Sequence, residues 1–211
     1  MNDVIIPAFN EEKTIANVVE TARRSSLIRD VIVVSDGSSD MTAEVARYAG
    51  ATVFELQPNR GKSQAMLFGF EKTNAEIILF LDADLIGFTT EHIEQLVSPV
   101  LQNACGMNVG YRDRGKFWTA IAHFFPPISG ERAMRREVFE AVPRRFLKGF
   151  MAEIAINREC RQLGFRLCTV DLRGLTIRRK YQKVGWAKAV VQYLRMFFQI
   201  VSAMIRVRLE K

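Results

Sequence analysis

The sequence predicts a single α/β domain, a mostly parallel central sheet with helices on both faces. Three observations predict it. Short β-branched runs alternate with segments of helical period through the first hundred residues, polar clusters follow the ends of those runs, and 211 residues suit one domain.

The elements follow in order. Val4-Ile5-Ile6 is a short apolar strand that Pro7 stops. Asn10-Glu11-Glu12-Lys13-Thr14 then opens a helix in which Ile15, Val18, Val19 and Ala22 recur at helical spacing. Val31-Ile32-Val33-Val34 is a continuous β-branched run, suited to a strand buried on both faces. Ser35-Asp36-Gly37-Ser38-Ser39-Asp40 ends it, and a second helix runs through Thr42, Val45, Ala46 and Ala49 to Gly50. Residues 52–56 predict a third strand, 63–73 a third helix and 77–81 a fourth strand, with Asp82-Ala83-Asp84 at its carboxyl end. Further on, 106–111 reads as a strand and 115–125 as a helix or loop. Ser129-Gly130-Glu131-Arg132 reads as a turn into a helix over 134–141, followed by a helix over 152–163 and a strand over 167–170. No repeat, low-complexity tract or linker divides the chain, so residues 1–211 read as one domain.

Composition narrows the function classes. With 48% hydrophobic and 25% charged residues the chain can build a core, which excludes a disordered, collagen-like or disulfide-scaffold protein. Thirty Lys and Arg against 23 Asp and Glu give a net charge of +7. That excess points to an anionic partner (nucleotide, phosphorylated substrate, nucleic acid or acidic membrane surface) or serves solubility alone. Cys105, Cys160 and Cys168 form no C-x-x-C pair, and the first residues read as a strand, not a leader, so the expected setting is cytoplasmic.

A β-α-β-α order implies crossovers and ligand binding outside the carboxyl ends of the strands. The polar clusters Asn10-Glu11, 36–40, 59–62 and 82–84 fall at those ends. On an extended strand end, Asp82 and Asp84 point the same way and would repel without a cation. Oxygen ligands select Mg2+ or Mn2+, ions that keep positions free for phosphate oxygens. Asp36 precedes its turn and faces the crevice, suiting a base N–H or a ribose hydroxyl, while Ser39 or Asp40 caps the next helix. Glu11 either accepts from ribose hydroxyls or simply favours a helix N-terminus. Lys62, opening a helix after Gly61, either meets a diphosphate as a point charge or is a solvated helix-start lysine.

Taken in order, Pro7-Ala8-Phe9-Asn10-Glu11-Glu12, Asp36-Gly37-Ser38-Ser39-Asp40-Met41-Thr42, Asn59-Arg60-Gly61-Lys62 and Asp82-Ala83-Asp84 resemble the inverting-type family 2 glycosyltransferases of GT-A fold. Two branches are similar: the dolichyl- or polyprenyl-phosphate sugar transferases, and the glucosyl-3-phosphoglycerate synthases, a retaining group of related fold. The second is suggested by Asp84-Leu85 leading to Leu96-Val97-Ser98-Pro99-Val100-Leu101, by Ser129-Gly130-Glu131 and by Gly149-Phe150-Met151-Ala152-Glu153-Ile154. The resemblance implies Mg2+- or Mn2+-assisted transfer of a sugar from a UDP- or GDP-sugar to a phosphorylated or lipid-linked acceptor. The alternatives are synthase-like transfer to a small soluble acceptor, or a non-glycosyl nucleotidyltransferase.

By the same resemblance, Pro7, Ala8, Phe9, Asn10, Glu11, Asp36, Gly61, Lys62, Asp82 and Ala83 would bind the nucleotide sugar. Asp84 with Asp82 would hold the metal, and Glu153 would touch the donor sugar. Arg112, Arg114, Gly130 and Glu131 would face the acceptor. Asp82, Asp84, Glu131 and Glu153 form the catalytic set, and the proton acceptor for a hydroxyl substrate is open among Glu131, Asp113 and Glu153. The chain departs from the family in lacking a late histidine, for Gly174-Leu175-Thr176-Ile177-Arg178-Arg179-Lys180 stands there. Either Asp84 and the phosphates hold the ion with water, or Arg178 supplies positive charge. His92 and His123 read as helical and structural. A nucleotidyltransferase would carry a Gly-rich basic loop after its first strand, which Pro7-Ala8-Phe9-Asn10 is not. A nucleic-acid binder would interleave aromatics with basic residues, whereas most of the 15 Phe lie in apolar runs.

Residues 184–209 predict an amphipathic helix. Lys188, Gln192, Arg195, Gln199, Ser202 and Arg206 mark one side, and Val190, Leu194, Phe197, Val201 and Ile205 the other. Its longest uncharged run, 196–205, is too short to span a bilayer. The helix either lies in a membrane interface or packs on the domain or a second copy in a homodimer.

Overall fold

The computed structural model describes residues 1–112 and 127–177. The segment 115–125, Asp113, Arg114, His123, Arg178 and the helix expected over 184–209 lie outside the described residues. Strands β1 (Asn2–Ala8), β2 (Asp30–Asp36), β3 (Thr52–Leu56) and β4 (Ile77–Phe80) alternate with α1 (Ile15–Arg24), α2 (Thr42–Tyr48) and α3 (Lys62–Glu71). There follow β5 (Leu85–Ile86), α4 (Thr90–Leu101), β6 (Met107–Arg112), β7 (Arg132–Arg135) and α5 (Arg136–Glu140). A 3-10 turn (Arg144–Phe146), α6 (Phe150–Gln162), β8 (Leu167–Leu172) and β9 (Thr176–Ile177) complete the order.

Seven strands form one sheet in the order β3-β2-β1-β4-β7-β6-β8, and β5 pairs with β9 in a separate ribbon. Pairing is parallel throughout the large sheet except at β7, which runs antiparallel between β4 and β6. The sheet is thus mostly parallel, as expected, with one reversed strand.

Alternation along the strands builds one large cluster on each side of the sheet, and a smaller one of Ile32, Val34, Leu56 and Ala65. Val4, Ile6, Val31, Val33, Leu79 and Leu81 pack beneath α1, α2 and α4. Ile5, Ile78, Phe80, Met107, Val109 and Met134 pack beneath α3, α5 and α6. Side chains of period two are buried on both faces, which explains why the sequence shows continuous apolar runs.

Three elements differ from expectation. β1 continues through Pro7 to Ala8. The Ile5 carbonyl accepts from the Leu81 amide (3.2 Å), so residues 5 and 7 turn their backbone groups toward β4. That strand ends at Phe80, so the missing N–H of Pro7 costs no ladder bond. The helix expected over 134–141 is shorter, because residues 132–135 fill the slot between β4 and β6 as a strand and the helix begins only at Arg136. The ribbon of β5 and β9 has two residues a side, too few to show any period.

Helix α4 contains Pro99, which cannot donate to the Gln95 carbonyl. The buried Asn108 amide on β6 replaces that donor, reaching the carbonyls of Gln95 (2.9 Å) and Leu96 (3.1 Å). His92 is helical and structural: its Nδ1 accepts from the Thr89 amide in a capping box, leaving Nε2 to donate to the Arg173 carbonyl (3.0 Å). No helix among the described residues is long and apolar enough to cross a membrane.

Candidate active site

The loops after β1 and β2 are fastened to each other. Asn10 takes a left-handed backbone (φ 56°), its side-chain oxygen accepts from the Ser39 amide (2.9 Å), and its own N–H donates to the Ser38 hydroxyl (3.2 Å). The Glu11 amide donates to the Thr42 hydroxyl (2.8 Å) and the Glu12 amide to Asp40 (3.3 Å). Asp40 also accepts from the amide of Thr42 (3.0 Å), the first residue of α2; the N-cap position itself is Met41, not Ser39 or Asp40 as expected. Burial works to raise Asp40, but the Thr42 hydroxyl and amide and the Glu12 amide outweigh it and hold the carboxyl below its usual range.

Asp36, at the end of β2, is 3% exposed, and each carboxylate oxygen accepts a backbone N–H of the next crossing, from Arg60 (2.8 Å) and Gly61 (2.7 Å). Asn59 donates to the Asp36 carbonyl (2.7 Å). Gly37 (φ +72°) is required here, since a Cβ would lie 2.6 Å from the Asn59 nitrogen. Asp36 lines the cleft, in keeping with the expectation that it faces the crevice, and its carboxylate also pins the 59–61 loop at the start of α3.

An open cleft of about 350 Å³ lies at this rim, lined by Pro7, Ala8, Phe9, Glu11, Asp36, Asn59, Gly61, Lys62, Asp82, Ala83 and Asp84. Asp36 and Asp84 therefore open onto one cleft. Of the expected nucleotide-sugar residues, only Asn10 is not among its lining; it braces the loops instead. Asn59, part of the motif but not of the expected binding set, joins it.

Asp82 is the hinge of the charges. Lys62 Nζ donates to one oxygen (2.5 Å), and Arg112 at the end of β6 stands 3.7 Å from the other. Arg112 is also 3.6 Å from Glu131, whose Oε2 accepts from the Ser129 hydroxyl (2.5 Å). Gly130 lies so close that a Cβ there would be 2.2 Å from Asp82 Oδ1. Glu153 sits in the first turn of α6. Glu131 Oε1 and Glu153 Oε2 are buried without a hydrogen-bond partner.

Competing effects set the protonation. Burial alone would raise Asp82, but Lys62, then Arg112 and Arg132, override it and keep the carboxyl below its ordinary value. Burial would lower the Lys62 ammonium, and Asp82, with Glu153 and Glu131, raises it instead. Glu131 goes the other way: burial, then Asp82, lift it above the usual range despite Arg112, the Ser129 hydroxyl and Lys62.

The metal expectation is met only in part by this geometry. β4 ends at Phe80, so Asp82 and Asp84 do not share a face of an extended strand. Asp82 is occupied by Lys62 and Arg112, which differs from two carboxylates converging on one ion. Among the described residues no three His, Cys, Asp or Glu side chains gather as a metal cage. Asp84, on the cleft wall, fits a hard divalent cation that takes one carboxylate and draws its other ligands from a diphosphate. Arg132, buried behind Glu131, was not singled out by sequence. Its only signal there is a charged residue beside Ala133-Met134, two positions that both prove to be core.

Comparison with known proteins agrees with this geometry. Glucosyl-3-phosphoglycerate synthase of Mycolicibacterium smegmatis is 29% identical over 188 residues, covering 72% of this chain and 61% of that protein. The 4,4'-diaponeurosporenoate glycosyltransferase of Staphylococcus aureus is 38% identical over 100 residues, 45% of this chain and 27% of that one. The chain thus spans less than two thirds of the length of either relative. Among solved structures, glucosyl-3-phosphoglycerate synthase from Mycobacterium tuberculosis in complex with Mn2+, uridine diphosphate and phosphoglyceric acid superposes with a TM-score of 0.79 at 24% identity. That match covers 98% of this chain and 78% of the other, and it establishes the GT-A fold. The profile of glycosyl transferase family 2 matches residues 3–159, and with the motifs of that span assembled around one cleft, the chain belongs to glycosyl transferase family 2.

Proposed function

We propose that this chain transfers a hexosyl group from a nucleoside-diphosphate sugar, of the UDP-glucose kind, to a small phosphorylated acceptor of the phosphoglycerate kind. The observation that carries the reading is the single cleft in which Pro7, Glu11, Lys62, Asp82 and Asp84 meet at one sheet rim. The resemblance of the whole chain to synthases with those substrates in their names favours the small soluble acceptor over a lipid-linked one.

Loops fastened by Asn10, Asp36 and Asp40 hold the nucleotide end of the cleft in shape before any ligand arrives. Lys62, held charged by Asp82, stands where negative charge develops on the departing diphosphate and stabilises it most in the transition state. Arg112 can retain Asp82 when Lys62 turns to the phosphates, so no carboxylate is left uncompensated. A Mg2+ or Mn2+ ion held by Asp84 and the diphosphate oxygens would supply further neutralisation of the leaving group. Glu131, buried 3.6 Å from Arg112, ties that arginine to the same rim.

The test is a panel of UDP- and GDP-sugars with Mn2+, read first by thermal shift, then by product formation with phosphoglycerate or a polyprenyl phosphate. UDP-glucose should raise the melting temperature, and product should form with phosphoglycerate. Product with polyprenyl phosphate alone would move the acceptor to the lipid-linked class. Neither shift nor product with any sugar nucleotide would overturn the reading.

A further inference from the structure

We propose that Arg132 is a positioning residue, which clamps Ser129-Gly130-Glu131 against Asp82 and so sets the catalytic rim from behind. Its kinetic consequence rests on the sugar-transfer reading; its structural consequence does not.

Arg132 opens β7 and is 0% exposed, the bulkiest fully buried side chain among the described residues. The slot between β4 and β6 is covered on both faces, and the next two residues, Ala133 and Met134, are apolar and fully buried. A guanidinium in such a place is costly unless its donors and charge are matched. Here they are. Nε and one terminal nitrogen both donate to the Ser129 carbonyl (3.0 and 2.6 Å), and the other terminal nitrogen reaches Asn157 Oδ1 on α6 (3.5 Å). Asn157 in turn donates to the Pro127 carbonyl (2.9 Å). The two side chains grip both ends of residues 127–129.

What they grip leads directly to the site. The Ser129 hydroxyl donates to Glu131 (2.5 Å), whose carbonyl accepts from the Gly110 amide on β6 (2.8 Å). Gly130, between them, abuts Asp82. Burial pulls the guanidinium below its ordinary value, and the charges of Glu153, Glu131 and Asp82 offset that pull in part. An apolar side chain would fill this slot as well, but it would leave Glu131 and Glu153 without their buried countercharge. Lysine would keep the charge and lose the planar fork that takes one carbonyl twice.

Arg132→Lys separates these roles. Hydrogen exchange should quicken about tenfold at the amides of residues 129–131 and stay unchanged in β1, β2 and β3. Affinity for UDP should stay within about twofold while kcat falls about a hundredfold, because the rim and not the nucleotide site is displaced. Unchanged exchange with unchanged kcat would overturn the proposal. So would faster exchange throughout β1, β2 and β3 with loss of UDP binding, the mark of a purely structural arginine. Should Arg132→Lys fail to fold, Asn157→Ala removes the second grip and keeps the charge; the same local pattern, weaker, is expected, and undisturbed exchange at 129–131 would overturn the proposal. A wild-type chain that transfers no sugar refutes the transfer reading alone, since the exchange pattern needs no substrate.

Discussion

At the scale of single residues, Asp82 is defined by what already holds it. Lys62 and Arg112 occupy its oxygens and Gly130 closes its other side, and Asp84 on the same cleft is the carboxylate we propose for a divalent ion. Asp84→Ala should therefore lower transfer by about a thousandfold. The variant should still fold, and near-native turnover would refute the metal assignment. Gly130→Ala places a methyl group where the Asp82 carboxylate stands. The carboxylate must move off Lys62, so steady-state kinetics should show a higher donor KM together with a lower kcat; wild-type constants would mean that the loop yields instead. The motif residues were legible because each carries its chemistry in its type and place in the chain. Arg132 was not, since nothing local distinguishes a buried arginine from a solvated one.

At the scale of elements, α4 and β6 are joined by one amide. Pro99 leaves the Gln95 carbonyl without its helical donor, and Asn108 supplies a substitute from the neighbouring strand. Asn108→Leu keeps the branched shape and removes the donor, so two buried carbonyls lose a partner at a cost of about 1–3 kcal/mol. A urea midpoint that does not move would exclude this role. The cost should shrink in a Pro99→Ala background, where the helix regains its own N–H, and the double-mutant cycle measures that coupling. Elements of the first half were readable from local pattern, helical spacing and β-branched runs together: residues 52–56 form β3 as expected, and 31–34 lie within β2. β7 was misread, because a run of Arg-Ala-Met-Arg leading into a helix gives no period of its own. Its two strand neighbours, far away in sequence, impose the extended form.

At the scale of the whole molecule, acid stability should show the loop fastening. Asp40 has a folded value below its ordinary 3.8. It therefore stabilises the fold above that value, and the contribution is lost as pH falls through the folded value. Melting temperatures taken from about pH 6 down to 3 should fall more steeply for the wild type than for Asp40→Asn at the acid end. Parallel curves would assign acid sensitivity elsewhere. For residues 184–209, the basic and apolar sides expected from the sequence predict co-sedimentation with anionic liposomes that fades as salt is added. No binding to such vesicles at low salt would leave packing on the domain or a second copy as the role of that segment.

The order of strands and crossovers, their burial on both faces and the gathering of acidic loops at one rim were determined by the sequence, because period and residue type act over neighbouring positions. Tertiary structure alone decided that Asp36 pins a loop, that Asp82 belongs to Lys62 and Arg112, and that an arginine is buried behind Glu131. Those outcomes depend on which distant groups share a hydrogen bond or a low-dielectric space, and pairing of that kind is written in three dimensions and not along the chain.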